Sequence, residues 1–320
     1  HRAAGATWIR RLGLEVSPED VVICAGAQHA MMLLLLTLAR PGGTVLVEEL
    51  TYPGMKSLAE ALRLRLEPAE MDREGLLPEA LDEVSRRSGA KVLYCMPTIH
   101  NPTTRTMSVA RRQAIADVAR ERELFIIEDD VQGNLIDEPA PPLASFLRDQ
   151  CFYVSSLSKT LAPGLRVAFV ATPQSERERL SGAMASTCWM TAPLAVEMAA
   201  RWITDGTALE VVAQKRSEAS ARLELAREHL PRDSFESAPG AYHLWLELPA
   251  PWRADDFTAA ALDRGVGVAS SAIFTTGRAA ASPFVRLSLT AVESQRELAR
   301  GLKTIAGLLR ETPGFGPAVV

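Results

Sequence analysis

The sequence predicts an α/β protein with two parts: a large region built on a mostly parallel sheet with helices on both faces, then a smaller α+β region. Two observations predict the first part. From Ser17 to Thr204 short apolar runs alternate with amphipathic stretches, and the runs are apolar almost throughout rather than at every second residue. Strands of that kind are buried on both faces, which requires helices above and below them, and parallel neighbours use such helices as crossovers. A third observation marks the second part, because past about residue 206 the runs begin to alternate and helices become fewer.

In order, the expected strands of the large region are VVICAG, TVLVEE, KVLYCM, LFIIED, CFYVSS and LRVAFVA. The helices between them are Gln28 to Ala39, Met55 to Arg63, Val109 to Arg122 and Gln174 to Ser186. Pro41-Gly42-Gly43 ends the first helix, and Ser108 caps the third. A long helical stretch from Ala192 to Leu230 breaks near Asp205 and Gly206. Beyond it, YHLWLEL alternates as a half-exposed strand, Ala254 to Arg264 is helical, VGVA and FVRLSL are strands, and Glu293 to Arg310 is a closing helix. The expected division is therefore 1–205 and 206–320.

The composition suits this plan. A chain of 320 residues with 47% hydrophobic content can bury one large core and a smaller one. Thirty-five Lys and Arg against 39 Asp and Glu give a net charge of −4, so this chain alone has no positive surplus for nucleic acid. The apolar stretch Met31 to Leu38 is far shorter than the ~20 residues of a bilayer span, and no signal-peptide pattern opens the chain. Cys24, Cys95, Cys151 and Cys188 stand far apart and read as buried thiols, so a cytoplasmic location is expected and no metal site. His1 is not an initiator, and His1 to Arg11 reads as the interior or end of a helix, so a fragment lacking its natural N-terminus is expected.

The most informative segment is SSLSKTLAPGLR. Lys159 lies just past an apolar strand, with Ser156 and Ser158 before it and Arg166 seven residues after. A lysine amine condenses with an aldehyde, and hydroxyls with a guanidinium hold a phosphate dianion, which together suit a phosphorylated aldehyde. A surface loop with a solvated lysine would carry the same residues, and on this segment alone the two readings stand level. Gly26-Ala27-Gln28 opens a helix directly after VVICA, where backbone N–H groups can receive an anion. LFIIEDD ends a buried strand in Glu128, Asp129 and Asp130, at the sheet edge where open α/β proteins bind ligands. One of these carboxylates can pair with a protonated pyridine nitrogen; Asp129 is favoured and Asp130 is the alternative.

Asn101, in HNPTT, can donate its amide to a ring oxygen, although Asn-Pro is also an ordinary turn. Tyr52 can stack on a ring or pack on the core. Arg286 lies inside the apolar strand FVRLSL and requires an anion, from the protein or from a substrate. Trp189, Met190 and His243 could line a substrate side-chain pocket, but Trp and Met in apolar surroundings are more often core, so they receive no role.

Six motifs in order, AGAQHAM, EELTYPGMK, YCMPTIHNPTT, IIEDDVQGNL, SSLSKTLAPGLRVAFV and FVRLSL, resemble the fold-type I pyridoxal 5'-phosphate enzymes of the aspartate aminotransferase superfamily. The closest likeness is to the aminotransferase-like domain of MocR-type regulators, a branch of the GntR transcription-factor family. The resemblance covers nearly the whole chain. It implies a Schiff base on Lys159, which would also act as acid and base in a 1,3-proton shift. It implies that Asp129 pairs with the pyridine nitrogen, that Asn101 binds the ring oxygen and that Tyr52 stacks on the ring. Ala27, Gln28, Ser156, Ser158 and Arg166 would hold the phosphate, and Arg286 the α-carboxylate of an amino acid. A homodimer with active sites at the interface is implied as well. Where many relatives carry a Tyr three residues after the acid, this chain has Gln132, which can still donate a hydrogen bond but lacks a phenol.

Two functions follow as expectations. The first is amino-group transfer between an amino acid and a 2-oxo acid. The second is a sensor whose cofactor and ligand report to an attached DNA-binding domain, with little or no turnover. Other pyridoxal phosphate reactions would use the same Lys and Asp.

Overall fold

The computed structural model describes residues 1–277 and 282–312. The chain begins with α1 (Arg2–Arg10), β1 (Val21–Cys24), α2 (Ala27–Leu38), β2 (Thr44–Glu48), α3 (Pro53–Ala61) and β3 (Arg65–Ala69). A small hairpin, β4 (Met71–Asp72) and β5 (Gly75–Leu76), leads to α4 (Pro78–Ser88), β6 (Val92–Cys95), α5 (Val109–Arg122) and β7 (Phe125–Asp129). Then come β8 (Cys151–Ser156), the single turn α6 (Leu157–Thr160), β9 (Ala168–Ala171), α7 (Arg177–Thr187) and α8 (Pro193–Asp205). The remainder is α9 (Thr207–His229), β10 (Phe235–Glu236), β11 (His243–Glu247), α10 (Ala254–Asp263), β12 (Ala269–Ser270), β13 (Phe284–Ser288) and α11 (Gln295–Leu308).

Seven strands form one sheet in the order β1-β9-β8-β7-β6-β2-β3. Only β9 runs against the rest: it pairs antiparallel with both β1 and β8, whereas β8, β7, β6, β2 and β3 pair in parallel. The second sheet is antiparallel, β10-β11-β13-β12.

Both faces of the large sheet are dry, as the unbroken apolar runs demand. On one face Leu46, Leu93, Ile126 and Tyr153 pack with side chains of α1, α4, α5 and α8; on the other Val45, Val47, Ile127 and Phe152 pack with α2, α3 and α7. Helix α2 is apolar nearly all round and is sandwiched accordingly; Leu33, Leu34 and Leu35 are buried and Leu36 alone of the run is open. Each fully buried leucine contributes roughly 1.5–3 kcal/mol of transfer free energy. A separate core joins α9, α10 and α11 to β11 and β13.

Several local features match the sequence. The Ser108 hydroxyl accepts from the amide of Arg111 and starts α5 at Val109, while Gly206, in the left-handed region at φ 92°, separates α8 from α9. Other features differ. Strand β3 and helix α4 were not expected: RLEPA is a charged sheet edge with a proline, so neither periodicity nor apolarity marks it. Helix α4 carries Pro78 at its first position and Gly89 at its end, signals that identify it in retrospect. VGVA yields strand only at Ala269–Ser270. Of the four thiols, Cys24, Cys95 and Cys151 are buried as expected, but Cys188 is exposed, because it follows α7 on the surface.

A buried ion pair ties α5 to the sheet. Arg112 and Glu128 are both wholly inaccessible, 3.6 Å apart, and Glu128 also accepts the amides of Leu143 and Ala144 at 2.9 and 2.8 Å. Removing the cation leaves an uncompensated charge in the core. Arg112→Met is therefore expected to lower stability by about 3–5 kcal/mol in urea denaturation.

Candidate active site

Strand register assembles the site. Cys24 at the end of β1 and Ser156 at the end of β8 both lie opposite Ala168, the first residue of β9. Two stretches distant in sequence thereby meet at one sheet edge: the turn at Gly26, and the segment that runs from Ser158 and Lys159 to the approach to β9 at Arg166.

This convergence makes an anion cradle. Gly26 is the N-cap of α2 at φ 88° and places no side chain over the helix start, so the first N–H groups of α2 have no side-chain cap. The Arg166 guanidinium crosses the turn so closely that a Cβ on Gly26 would stand 2.4 Å from its Nη2. Arg166 Nη1 donates to Ser158 Oγ at 3.2 Å, and the Ser158 amide donates to Ser156 Oγ at 3.2 Å. A helix start, a guanidinium and two hydroxyls on one spot suit a phosphate dianion. Gln28 donates to the carbonyl of Gly54 at 3.1 Å, leaving its own Oε1 buried without a partner.

Lys159 stands beside this cradle on α6. The cleft leaves its side chain open to solvent, yet the walls still desolvate the amine: burial, followed by the charges of Arg286 and Lys215, pushes it below the usual lysine range. A larger share of neutral amine is the form that condenses with a carbonyl.

The three acids after β7 have three different fates, decided by the two-residue period of the strand. Glu128 points to the α5 face and is the structural partner of Arg112. Asp130 accepts Tyr153 Oη of β8 at 2.7 Å and the Gly133 amide at 2.7 Å, which occupies one oxygen with the neighbouring strand and the other with the turn that carries Gln132. Asp129 alone lines the cleft; Tyr94 donates to its Oδ2 at 2.8 Å, and its Oδ1 is buried with no partner. Burial raises Asp129 to about 7, the hydrogen bond from Tyr94 opposing and the charges of Asp130 and Glu48 adding. Such a carboxylate stays ionised at neutral pH most readily opposite a cation.

Arg286 enters from the second sheet, between β11 and β12. Its Nη1 donates to Asn101 Oδ1 at 2.8 Å, its guanidinium lies 5.1 Å from the centre of the Phe274 ring, and its Nε is buried without a partner. A guanidinium held by a neutral amide and an aromatic face has unspent donors for a carboxylate. Because Asn101 uses its oxygen on Arg286, its amide N–H₂ is left to donate. Tyr52 is half-buried over Gly54, where a Cβ would come within 2.3 Å of its ring. Gln132 is buried, reaches the Ile99 carbonyl at 3.5 Å and keeps an unpartnered Oε1.

The cleft, of about 390 Å³, is thus lined by every expected site residue except Gly26, which shapes the turn behind it. The reading of Trp189 and Met190 as core is corrected: they are 74% and 54% exposed, and they are not among the residues that line the cleft. His243, given no role, is buried in its wall beside Tyr242, whose hydroxyl donates to the Lys159 carbonyl at 3.0 Å. Tyr94 and Tyr153 were also missed. The sequence signal for both is a phenol inside an otherwise aliphatic buried strand, which requires an acceptor.

The sequence pattern of the family "Aminotransferase class I and II" matches residues 2–305. The chain is 33% identical over 306 residues to the uncharacterized HTH-type transcriptional regulator YdeF of Bacillus subtilis, covering 96% of this chain and 66% of that protein, so it spans less than two thirds of that relative's length. It is 30% identical over 330 residues to the 2-aminoadipate transaminase of Thermus thermophilus, covering 96% of this chain and 80% of that one. The crystal structure of LysN, the α-aminoadipate aminotransferase of Thermus thermophilus complexed with N-(5'-phosphopyridoxyl)-L-leucine, superimposes with a TM-score of 0.85 at 25% identity, over 97% of this chain and 81% of that one.

Proposed function

The chain belongs to the class I and II aminotransferase family, and on that premise we propose that it holds pyridoxal 5'-phosphate on Lys159 and transfers an amino group between an amino acid and a 2-oxo acid. The observation that carries this reading is one cleft in which a partly desolvated lysine stands between an uncapped helix start with Arg166 and a buried carboxylate with a free oxygen. The residues fit the cofactor on their own chemistry. Gly26, Ala27, Ser156, Ser158 and Arg166 suit its phosphate, with Gln28 beside them. Asp129 Oδ1 suits a protonated ring nitrogen, Asn101 and Gln132 can donate to a ring oxygen, and Tyr52 offers an aromatic face. When bound, the cofactor supplies an aldehyde that condenses with amines and a ring that draws electrons from a carbon joined through that nitrogen.

The protein's own groups do the rest. With the cofactor bound, Lys159 Nζ would take the proton from the substrate Cα and deliver it to the carbon that had been the cofactor's aldehyde, the 1,3-shift that amino transfer requires. Arg286 orients the substrate by its α-carboxylate. Arg286→Ala removes a charge-assisted pair worth about 1.5–3 kcal/mol, so binding of amino acids should weaken roughly ten- to a hundredfold in a titration while cofactor loading persists. The test of the main reading is an absorbance titration of the cofactor-loaded protein with a panel of amino acids, followed by an assay for 2-oxo acids. Loss of the visible band with release of 2-oxo acid supports transfer.

A band that shifts without product favours the second reading, an effector-sensing domain of a pyridoxal phosphate-dependent DNA-binding regulator. The likeness to YdeF over nearly all of this chain, together with Gln132, favours that alternative. A homodimer also belongs to this reading. Trp189 and Met190 on the segment joining α7 to α8, and Leu194 and Met198 one turn apart on α8, are large apolar side chains left exposed, which supports burial against a second copy. Leu194→Glu is expected to shift the sedimentation coefficient from dimer to monomer. A cytoplasmic location is the setting we assign; among the described residues no helix is long and apolar enough to cross a membrane. We place the border between the two units at 205 and 206, a division supported by the helix break at Gly206 and the separate core after it.

A further inference from the structure

Two tyrosines from neighbouring strands each meet an acid at the end of β7, and the pairs are not equivalent. Tyr153 on β8 donates to Asp130, whose other oxygen already accepts the Gly133 amide, so that pair is closed within the fold. Tyr94 on β6 donates at 2.8 Å to Asp129 Oδ2, and the second oxygen of Asp129 is buried, unpartnered and in the wall of the cleft. Tyr94 itself is wholly buried and its phenol is the only hydrogen-bond donor to that carboxylate among the described residues. A phenol that served only to satisfy itself would need no acceptor with an idle oxygen facing a ligand cleft.

The surroundings of Asp129 sharpen the point. The acids and phenols packed against it are Tyr94 and Cys95 from β6, Asp130 at the end of its own strand, Glu48 from β2 and Tyr52 ahead of α3. The cations of the same cleft are Lys159, Arg166 and Arg286. Among the described residues none of the three is hydrogen-bonded or ion-paired to Asp129, and the one hydrogen bond that favours its ionised form comes from the Tyr94 hydroxyl. Burial and the charge of Asp129 hold that hydroxyl well above the usual phenol range, so it remains a donor at any working pH.

We propose that Tyr94 is a positioning residue for the cofactor ring: by fixing Asp129 Oδ2 it aims Oδ1 into the cleft as a carboxylate and makes the site selective for a ligand with a protonated ring nitrogen. This inference rests on the cofactor reading above. Tyr94 touches neither substrate nor cofactor and acts through Asp129 alone. Its contribution is confined to ligands that have a basic nitrogen to present.

The test compares binding of pyridoxal 5'-phosphate with binding of its analogue in which carbon replaces the ring nitrogen, in the parent protein and in Tyr94→Phe. Removing one hydrogen bond to a charged group should weaken pyridoxal phosphate roughly ten- to a hundredfold and leave the analogue within about twofold. The acid limb of pyridoxal phosphate binding should move upward by about one pH unit, because Asp129 loses the donor that favours its ionised form. In an Asp129→Asn background, Tyr94→Phe should change neither ligand's affinity. Equal loss for both ligands, or no loss for either, overturns the inference while the cofactor reading stands. Failure of the parent protein to bind pyridoxal phosphate, with the thermal transition of a folded protein intact, overturns that reading and this inference with it.

Discussion

Lys159→Ala is expected to abolish covalent attachment of pyridoxal 5'-phosphate without abolishing its binding. The anion cradle of Gly26, Ser158 and Arg166 and the carboxylate of Asp129 do not depend on the Lys159 side chain and survive the substitution. Borohydride treatment of the parent protein should fix one cofactor to the peptide that contains Lys159, and the variant should yield none. Any amino-transfer activity should fall by about 10²–10⁴-fold or more, the range lost with a positioned general acid and base. A small added amine should restore part of it, since the missing group is a base of that class. Labelling of Lys56 or Lys215 in the parent instead would transfer the role to another amine and remove the basis for the proposed site.

Asp129→Asn should have opposite effects on function and on stability. Asp129 is buried with one oxygen unpaired, and in the folded chain without cofactor it ionises near 7, against about 4 when unfolded. Its folded value is raised. The neutral form therefore favours folding, fully so below about pH 4, and that advantage is lost as the pH rises through about 7. An asparagine cannot ionise. The cofactor-free variant should be more stable than the parent above pH 7, by on the order of 3–4 kcal/mol, and the difference should shrink to nothing as the pH falls toward 4. The same variant should bind pyridoxal phosphate poorly, because the ring nitrogen loses its counter-ion. Urea denaturation of both proteins at several pH values, with and without cofactor, reads both effects. A parent no less stable than the variant at high pH would show that the carboxylate has a partner cation within the fold.

Such a trade is expected where a carboxylate is held ready for a ligand. The neighbouring acid shows the contrast: Glu128, also raised to about 7 by burial, faces Arg112 and two backbone amides, and its role is to fasten the segment at Leu143. Adjacent residues of one strand thus serve stability and binding separately, because they emerge on opposite faces of the sheet.

Much of this arrangement was legible in the residues. Unbroken apolar runs separated by helices can be buried only as a sheet covered on both faces, so the α/β class followed from periodicity. Lys159, Ser156, Ser158 and Arg166 stand within eleven residues and are carried by one turn, so their proximity was local information. Arg286 announced itself as a charge inside an apolar strand. RLEPA, by contrast, lacked any apolar signal, and Cys188 looked like a core thiol until the end of α7 placed it on the surface.

By itself the sequence determined most of the side chains that could carry the chemistry and the apolar strands of the large sheet, because both depend on residue type and short-range period. Only the tertiary structure decided their company. The pairing of Cys24 and Ser156 with the same residue of β9 brought the helix start to the lysine, and the meeting of β13 with Asn101 gave Arg286 a neutral partner and free donors. The choice of Asp129 over Asp130, and the reach of Tyr94 to it, likewise depended on which strands are neighbours. Contacts between strands of distant sequence are set by sheet order and register, which are global outcomes of packing and leave no trace in any local window.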